Sequence, residues 1–350
     1  MDWTRHLWLF WNDVEWRDAS SNVWIWPPIY SFWSRKERIS DYTDKEKKKH
    51  YEKEEKLRSL DEGVRTAKTL IIRGNAEDAN RHMFDLLKDA KGHFDEAAVE
   101  LLPAYFIMAE ANVIMGGDRL KKAEQLLIAA YWNLLKSTSE DSKTSGEEGA
   151  GDKDVSGYRA SLHKTFGRLF TAQDRLDDAI KELSQGIYLD WIEYGPESIQ
   201  LCSSYFYLAL IFHKQGKKIE TKSFYQKIVE IWKKHILEHE QNEENQIEEE
   251  LLYEEAKEHL KSILGFFEFE YGPQHSLTAE CDVAFALVML RTGNDTIAVE
   301  FLEKAHYILI QSLGEFDPKT KEVEELAKKV EEMQRQNNDQ LDIDDEEDDQ

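Results

Sequence analysis

The chain has 350 residues, with 45 Lys and Arg against 70 Asp and Glu, a formal charge of −25 and 2 cysteines. Such a balance repels a phosphate backbone instead of releasing its counterions, which argues against nucleic acid as a partner. Cys202 and Cys281 lie too far apart for a disulfide framework or a zinc site, and no run of about 18 apolar residues offers a membrane span.

Glycine and proline are scarce, and Glu, Lys, Leu, Ala and Ile dominate, so an all-α fold is expected. Residues 1–43 read as a tryptophan-rich arm. Seven of the ten tryptophans fall in the first 33 residues, in and ahead of "WRDASSNVWIWPPIYSFW". Pro27 and Pro28 break any helix there and leave Val23 to Ile29 extended, while Trp8 and Trp11 share one face of a short preceding helix. Asp2, Asp13, Glu15 and Asp18 interrupt what would otherwise resemble a secretory leader. Trp8, Trp11, Trp24, Trp26 and Trp33 are candidate anchors, because tryptophan dominates interface hot spots. Three readings fit the arm: a cap on the first repeat, an anchor for a partner, or a start assigned too far upstream.

Residues 44–136 predict a long helix and the first helical hairpins, and one register recurs from here on. Small residues Ala79, Ala123, Ala179, Thr221 and Ala298 open the second helices of five hairpins. Twelve positions earlier stand Ala67, Ala111, Gly167, Ala209 and Ala286; four later, Met83, Leu127, Leu183, Tyr225 and Leu302; seven later, Leu86, Ala130, Gly186, Ile228 and Ala305. Antiparallel helices approach closely only where small side chains meet, and large ones then fill the space beyond the crossing. The turns carry Gly74, Asp118, Asp174, Gly216 and Gly293, residue types that tolerate a left-handed backbone.

The spacings between anchors are 44, 56, 42 and 77 residues. The 56 contains "STSEDSKTSGEEGAGDKDVSG" (137–157), too polar for a core and expected as a flexible loop. Residues 158–337 hold the remaining hairpins, with an additional acidic helix at roughly Glu243 to Glu270 inside the longest spacing. Gly195 and Gly272 suit helix C-caps, and Pro196 and Pro273 suit the starts of the helices that follow. Residues 338–350 carry eight acids and no Lys or Arg, and are expected to be a disordered tail.

The chain has no phosphate-binding glycine loop, nucleophile elbow or kinase signature, so neither an enzyme nor a cofactor is expected. His235 and His239 stand one helical turn apart without a third ligand, which favours a solvated face over a metal. Phe166, Phe170, Tyr205, Phe212 and Phe285 recur at helical spacing and are expected mostly in the core.

The register resembles tetratricopeptide repeats, which implies an α-solenoid of about five hairpins. In that fold, first-helix positions line a concave groove. Mapped here they include Lys164, Arg168, Phe206, Leu210, His213, Lys214 and Arg291. Cations among apolar side chains suit a partner segment with acidic and aliphatic residues; the same positions serve equally as solvated sites or as contacts to a neighbouring repeat. The segments "VELLPAY", "AYWNLLKST", "YFYLALIF" and "VEIWKKHI" further resemble the repeat region of axonemal zinc finger MYND domain-containing proteins, over about Asp61 to Ile236. This resemblance implies a scaffold at the ciliary axoneme, with a cytoplasmic pool before assembly. The implied partners are an inner-arm dynein heavy chain with its light chains, a second axonemal tetratricopeptide protein and docking proteins of the doublet microtubule. No nucleic acid, membrane or metal is expected. The cysteines of a MYND finger are missing ahead of Cys202, which removes zinc from that inference. A cytosolic peptide-binding adaptor of the kinesin light chain or chaperone type is the alternative.

Overall fold

The computed structural model describes residues 44–90, 92–94, 98–141, 151–238, 246–330 and 332. The tryptophan-rich arm and its five candidate anchors, His239 and the acidic tail lie outside the described residues. Those described hold no strand. In chain order the helices are α1 (Asp44–Ile72), α2 (Ala76–Ala90), α3 (Leu102–Met115), α4 (Arg119–Asp141), α5 (Gly151–Ala172) and α6 (Leu176–Tyr194). They continue with α7 (Cys202–Lys214), α8 (Lys218–Glu238), α9 (Gln246–Tyr271), α10 (Ser276–Arg291), α11 (Asp295–Leu313) and α12 (318–330).

Five antiparallel hairpins form, α1–α2, α3–α4, α5–α6, α7–α8 and α10–α11, and consecutive hairpins pack side by side. The small residues sit where each pair crosses: Ala67 on Ala79, Ala111 on Ala123, Ala209 on Thr221 and Ala286 on Ala298 are all fully buried. Thr221 satisfies its hydroxyl by donating to Lys217 O at 2.9 Å. The large residues four positions on, Met83, Leu127, Leu183, Tyr225 and Leu302, are buried as well. Seven positions on, the first hairpin departs from the register. Leu87 is the buried residue there, while Leu86 lies half-buried over Gly63.

Gly74, Asp174, Gly216 and Gly293 have φ of 82°, 60°, 74° and 71°. The α3–α4 turn corrects the expectation at Asp118: the left-handed residues are Gly116 and Gly117, at 66° and 56°. A two-residue glycine turn ends α3 earlier, so no strain falls on the aspartate. Gly195, Gly272 and Gly314 end α6, α9 and α11, their amides donating to Trp191 O, Glu268 O and Ile310 O. Pro196 and Pro273 do not open the next helices. Both lie in the turn itself, and α7 starts only after a 3₁₀ turn at Ile199–Leu201.

The helices run further into the low-complexity segment than its composition predicts. α4 continues to Asp141, and α5 begins at Gly151 because Val155 extends its buried stripe of Leu162 and Leu169. Residues 318–330 add a closing helix, α12, which buries Val323, Ala327 and Val330 against the preceding hairpins. The fold is an all-α solenoid of tetratricopeptide-type hairpins, with α9 and the closing α12 standing outside the hairpin pattern.

Candidate partner-binding face

α9 decides what the first-helix face of the solenoid can do. Its stripe Tyr253, Ala256, Leu260, Ile263 and Phe267 recurs every three or four residues and is buried throughout. The stripe joins the core built by α7, α8, α10 and α11. Burial of large apolar side chains such as these stabilises by roughly 1.5–3 kcal/mol each, so α9 is held as firmly as a hairpin helix. Trp232 meets Tyr253 at one end, and Lys218 Nζ meets Glu270 at 2.6 Å at the other, so α9 runs antiparallel to α8. It also packs along α10 and reaches α1.

The candidate groove residues meet this helix or its neighbours. Phe206 on α7 stacks on His259 with ring centroids 4.1 Å apart. Seven residues further along both helices, His213 meets the edge of Phe266 at 5.4 Å. The matched steps show α7 and α9 lying parallel in one register. Leu210 packs, half-buried, against the same core. Arg168 on α5 ties three helices together: it pairs with Glu110 of α3 and, at 3.0 Å, with Glu255 of α9. It also donates to Ser203 Oγ at 2.5 Å and lies 4.9 Å from the centroid of the Tyr207 ring. Burial alone would raise the Glu255 carboxyl, but Arg168, His259 and the Ser203 hydroxyl outweigh it and hold it at about 2. Burial lowers His259 to about 4, so its ring is neutral near pH 7 and suits an aromatic stack.

The other candidates are partnered elsewhere. Lys164 bridges to Asp190 of α6 at 2.9 Å. Arg291 donates to the last-turn carbonyl of Ile236 at 2.8 Å. Lys214 approaches Asp174 at 3.4 Å but stays exposed, as does His213. The seven positions therefore include an α9 seat of Arg168, Phe206, Leu210 and His213, together with inter-helix clasps by Lys164, Arg291 and Lys214. Sequence reasoning placed the additional helix but missed its seat. The signal was the stripe 253, 256, 260, 263, 267 inside an acidic stretch.

Cys202 and Cys281 are buried free thiols, and burial pushes both upward, so they are not poised for nucleophilic chemistry. Among the described residues no three His, Cys, Asp or Glu side chains cluster as metal ligands, and no helix is long and apolar enough to cross a membrane. His235 stands edge-on to Trp232 at 6.0 Å.

No family model matches the chain. Solved structures similar to it include a kinesin-light-chain-type protein of nearly identical TPR-like repeats from Podosopora anserina, 14% identical over 74% of this chain and 98% of that one, with a TM-score of 0.37. A variant of the same protein matches at 14% identity over 73% and 97%, with a TM-score of 0.36. BtubC (BKLC) from P. vanneervenii matches at 15% identity over 76% and 94%, with a TM-score of 0.30.

Proposed function

We propose that this chain is a non-catalytic scaffold of the ciliary axoneme, anchoring a single-headed inner-arm dynein to the doublet microtubule. Its architecture is of the protein–protein interaction kind, in which stacked hairpins offer several surfaces at fixed spacing. The observation that carries the scaffold reading is the seated α9. A first-helix face lined by the chain's own buried helix suits rigid display better than capture of a short extended peptide. The axonemal part rests on the resemblance of "VELLPAY", "AYWNLLKST", "YFYLALIF" and "VEIWKKHI", which fall at the start of α3 and on α4, α7 and α8. The partners on this reading are the dynein heavy chain and its light chains, a second tetratricopeptide protein and the doublet docking proteins. Several weak contacts on one rigid body raise the effective concentration of the motor at its site.

A tagged copy should lie along motile cilia, and loss of the protein should remove one inner-arm density while leaving most others. A wholly cytosolic protein with normal beating after its loss would sink the assignment. The alternative is a cytosolic peptide adaptor, and the exposed Lys214 on the first-helix face, outside the α9 seat, favours it. It requires peptide binding that Lys214→Glu abolishes.

A further inference from the structure

We infer that the outward face of α4 is a docking surface for an acidic, aliphatic-bearing helix of another protein. This holds whether or not that protein is axonemal. α4 already commits one stripe to the core, with Ala123, Leu127, Ala130 and Leu134 buried. An adjacent, solvent-facing side carries a second apolar stripe at steps of i, i+3, i+4 and i+7. Ile128, Tyr131, Trp132 and Leu135 there are 45%, 46%, 58% and 38% exposed. A surface helix needs one such stripe for folding, and a second in solvent marks an interaction site. Tyr131 and Trp132 hold each other edge to face, 6.3 Å between centroids, as a two-ring platform.

Charge identifies the occupant. The second helices α2, α6, α8 and α11 open with acids: Glu77 and Asp78, Asp177 and Asp178, Glu220, and Asp295. α4 has none in its first turn and instead opens with Arg119, Lys121 and Lys122. Cations at this end oppose the helix dipole, so α4 keeps them at a cost to its own stability. Lys121 and Lys122 are exposed and make no ion pair within the described residues. Lys136 is exposed at the far end of the stripe. Glu124 lies one turn ahead of Ile128 on the same side, where Gln173 at 3.4 Å and Arg175 at 3.9 Å partner it. In a chain of net charge −25 this is a net-basic, aromatic strip about four turns long, from Lys121 to Lys136. A helix with leucine-like residues on one face, flanked by carboxylates, matches both properties. A second copy fits worse, because two-fold pairing of this face sets lysines against lysines. An anionic bilayer or nucleic acid fits worse too, since either extends past the strip and meets the rest of an acidic chain.

The test uses the full chain and a helical probe peptide of about 18 residues, with Leu at i, i+3, i+4 and i+7 and Glu beside them, read by fluorescence anisotropy. The wild type should bind it, and Tyr131→Ala/Trp132→Ala should weaken binding by about tenfold or more. Lys121→Glu/Lys122→Glu, which leaves the rings untouched, should weaken it similarly and reduce its salt dependence. Circular dichroism and Tm of both variants should match the wild type; if the ring variant unfolds, the lysine variant alone carries the test. Equal binding of a Lys-for-Glu peptide, or full binding by the lysine variant, would overturn the proposal. So would Trp132-dependent binding to phosphatidylserine vesicles, or Trp132-dependent self-association in sedimentation.

Discussion

Gly167 on α5 stands against Leu183 on α6, and a Cβ there would meet Leu183 Cγ at 2.5 Å and Cδ2 at 2.6 Å. Leu183 is itself fully buried and has nowhere to move. Gly167→Ala should therefore destabilise the chain by about 1–3 kcal/mol, as overpacking does. Gly265, inside α9, has open space around its Cβ position, and Gly265→Ala should stabilise by up to about 1 kcal/mol. Urea melts of the two variants test the pair, and a shared sign would refute the packing argument. Two buried groups set opposite pH slopes. Burial pushes the Asp282 carboxyl up to about 6, against the pull of Lys304 at 3.2 Å. The folded chain then binds a proton that the unfolded chain has released between roughly pH 4 and 6, so this group's contribution to stability falls as pH rises. Asp282→Asn should raise Tm at pH 7, because Lys304 keeps Glu268 at 3.1 Å. His259, depressed to about 4, acts the other way: its contribution is complete above about pH 6.5 and is lost as pH falls toward 4. His259→Phe preserves the stack on Phe206 and should stabilise the chain by about 1–2 kcal/mol at pH 5, with little gain at pH 8, in paired thermal melts.

At the scale of elements, the hairpins were legible because each rests on a local rule. A small residue at a crossing, a large one a turn later and a glycine between helices all lie within some twenty residues of sequence. The Asp118 turn was misread for the same reason: Gly116 and Gly117 offered a cheaper turn two residues earlier, and a fixed offset passed over them. The seat of α9 was not legible, since it depends on partners 53 to 87 residues away, such as Phe206 and Arg168. Arg168 reads in sequence as one more cation on a helix face, yet it holds Glu110 and Glu255 together. Arg168→Ala should cost about 2–3 kcal/mol, below the figure for a fully buried pair because Glu255 keeps about a third of its side chain in water. Hydrogen exchange should quicken along α9 in that variant while α10–α11 stay protected. Unchanged α9 protection would mean that the apolar stripe alone seats the helix.

For the molecule as a whole, the apolar core falls into two large clusters, one from Leu60 to Leu169 and one from Leu201 to Val330, with a small one around Leu183 and Leu208 between them. Stacks of this kind unfold piecewise when only neighbours touch. α9 breaks that rule, because it belongs to the second cluster yet packs on α1 and, through Arg168, reaches α3 and α5. One calorimetric transition is therefore expected for the intact chain, and two for Arg168→Ala. A helical stack without cross-ties stretches under load like a spring, each interface opening slightly in turn. With α9 joining hairpins far apart in the chain, a pull between α1 and α10 loads Arg168 and the buried aromatic rows together. The chain should behave as a strut, transmitting force with little extension until that joint gives way.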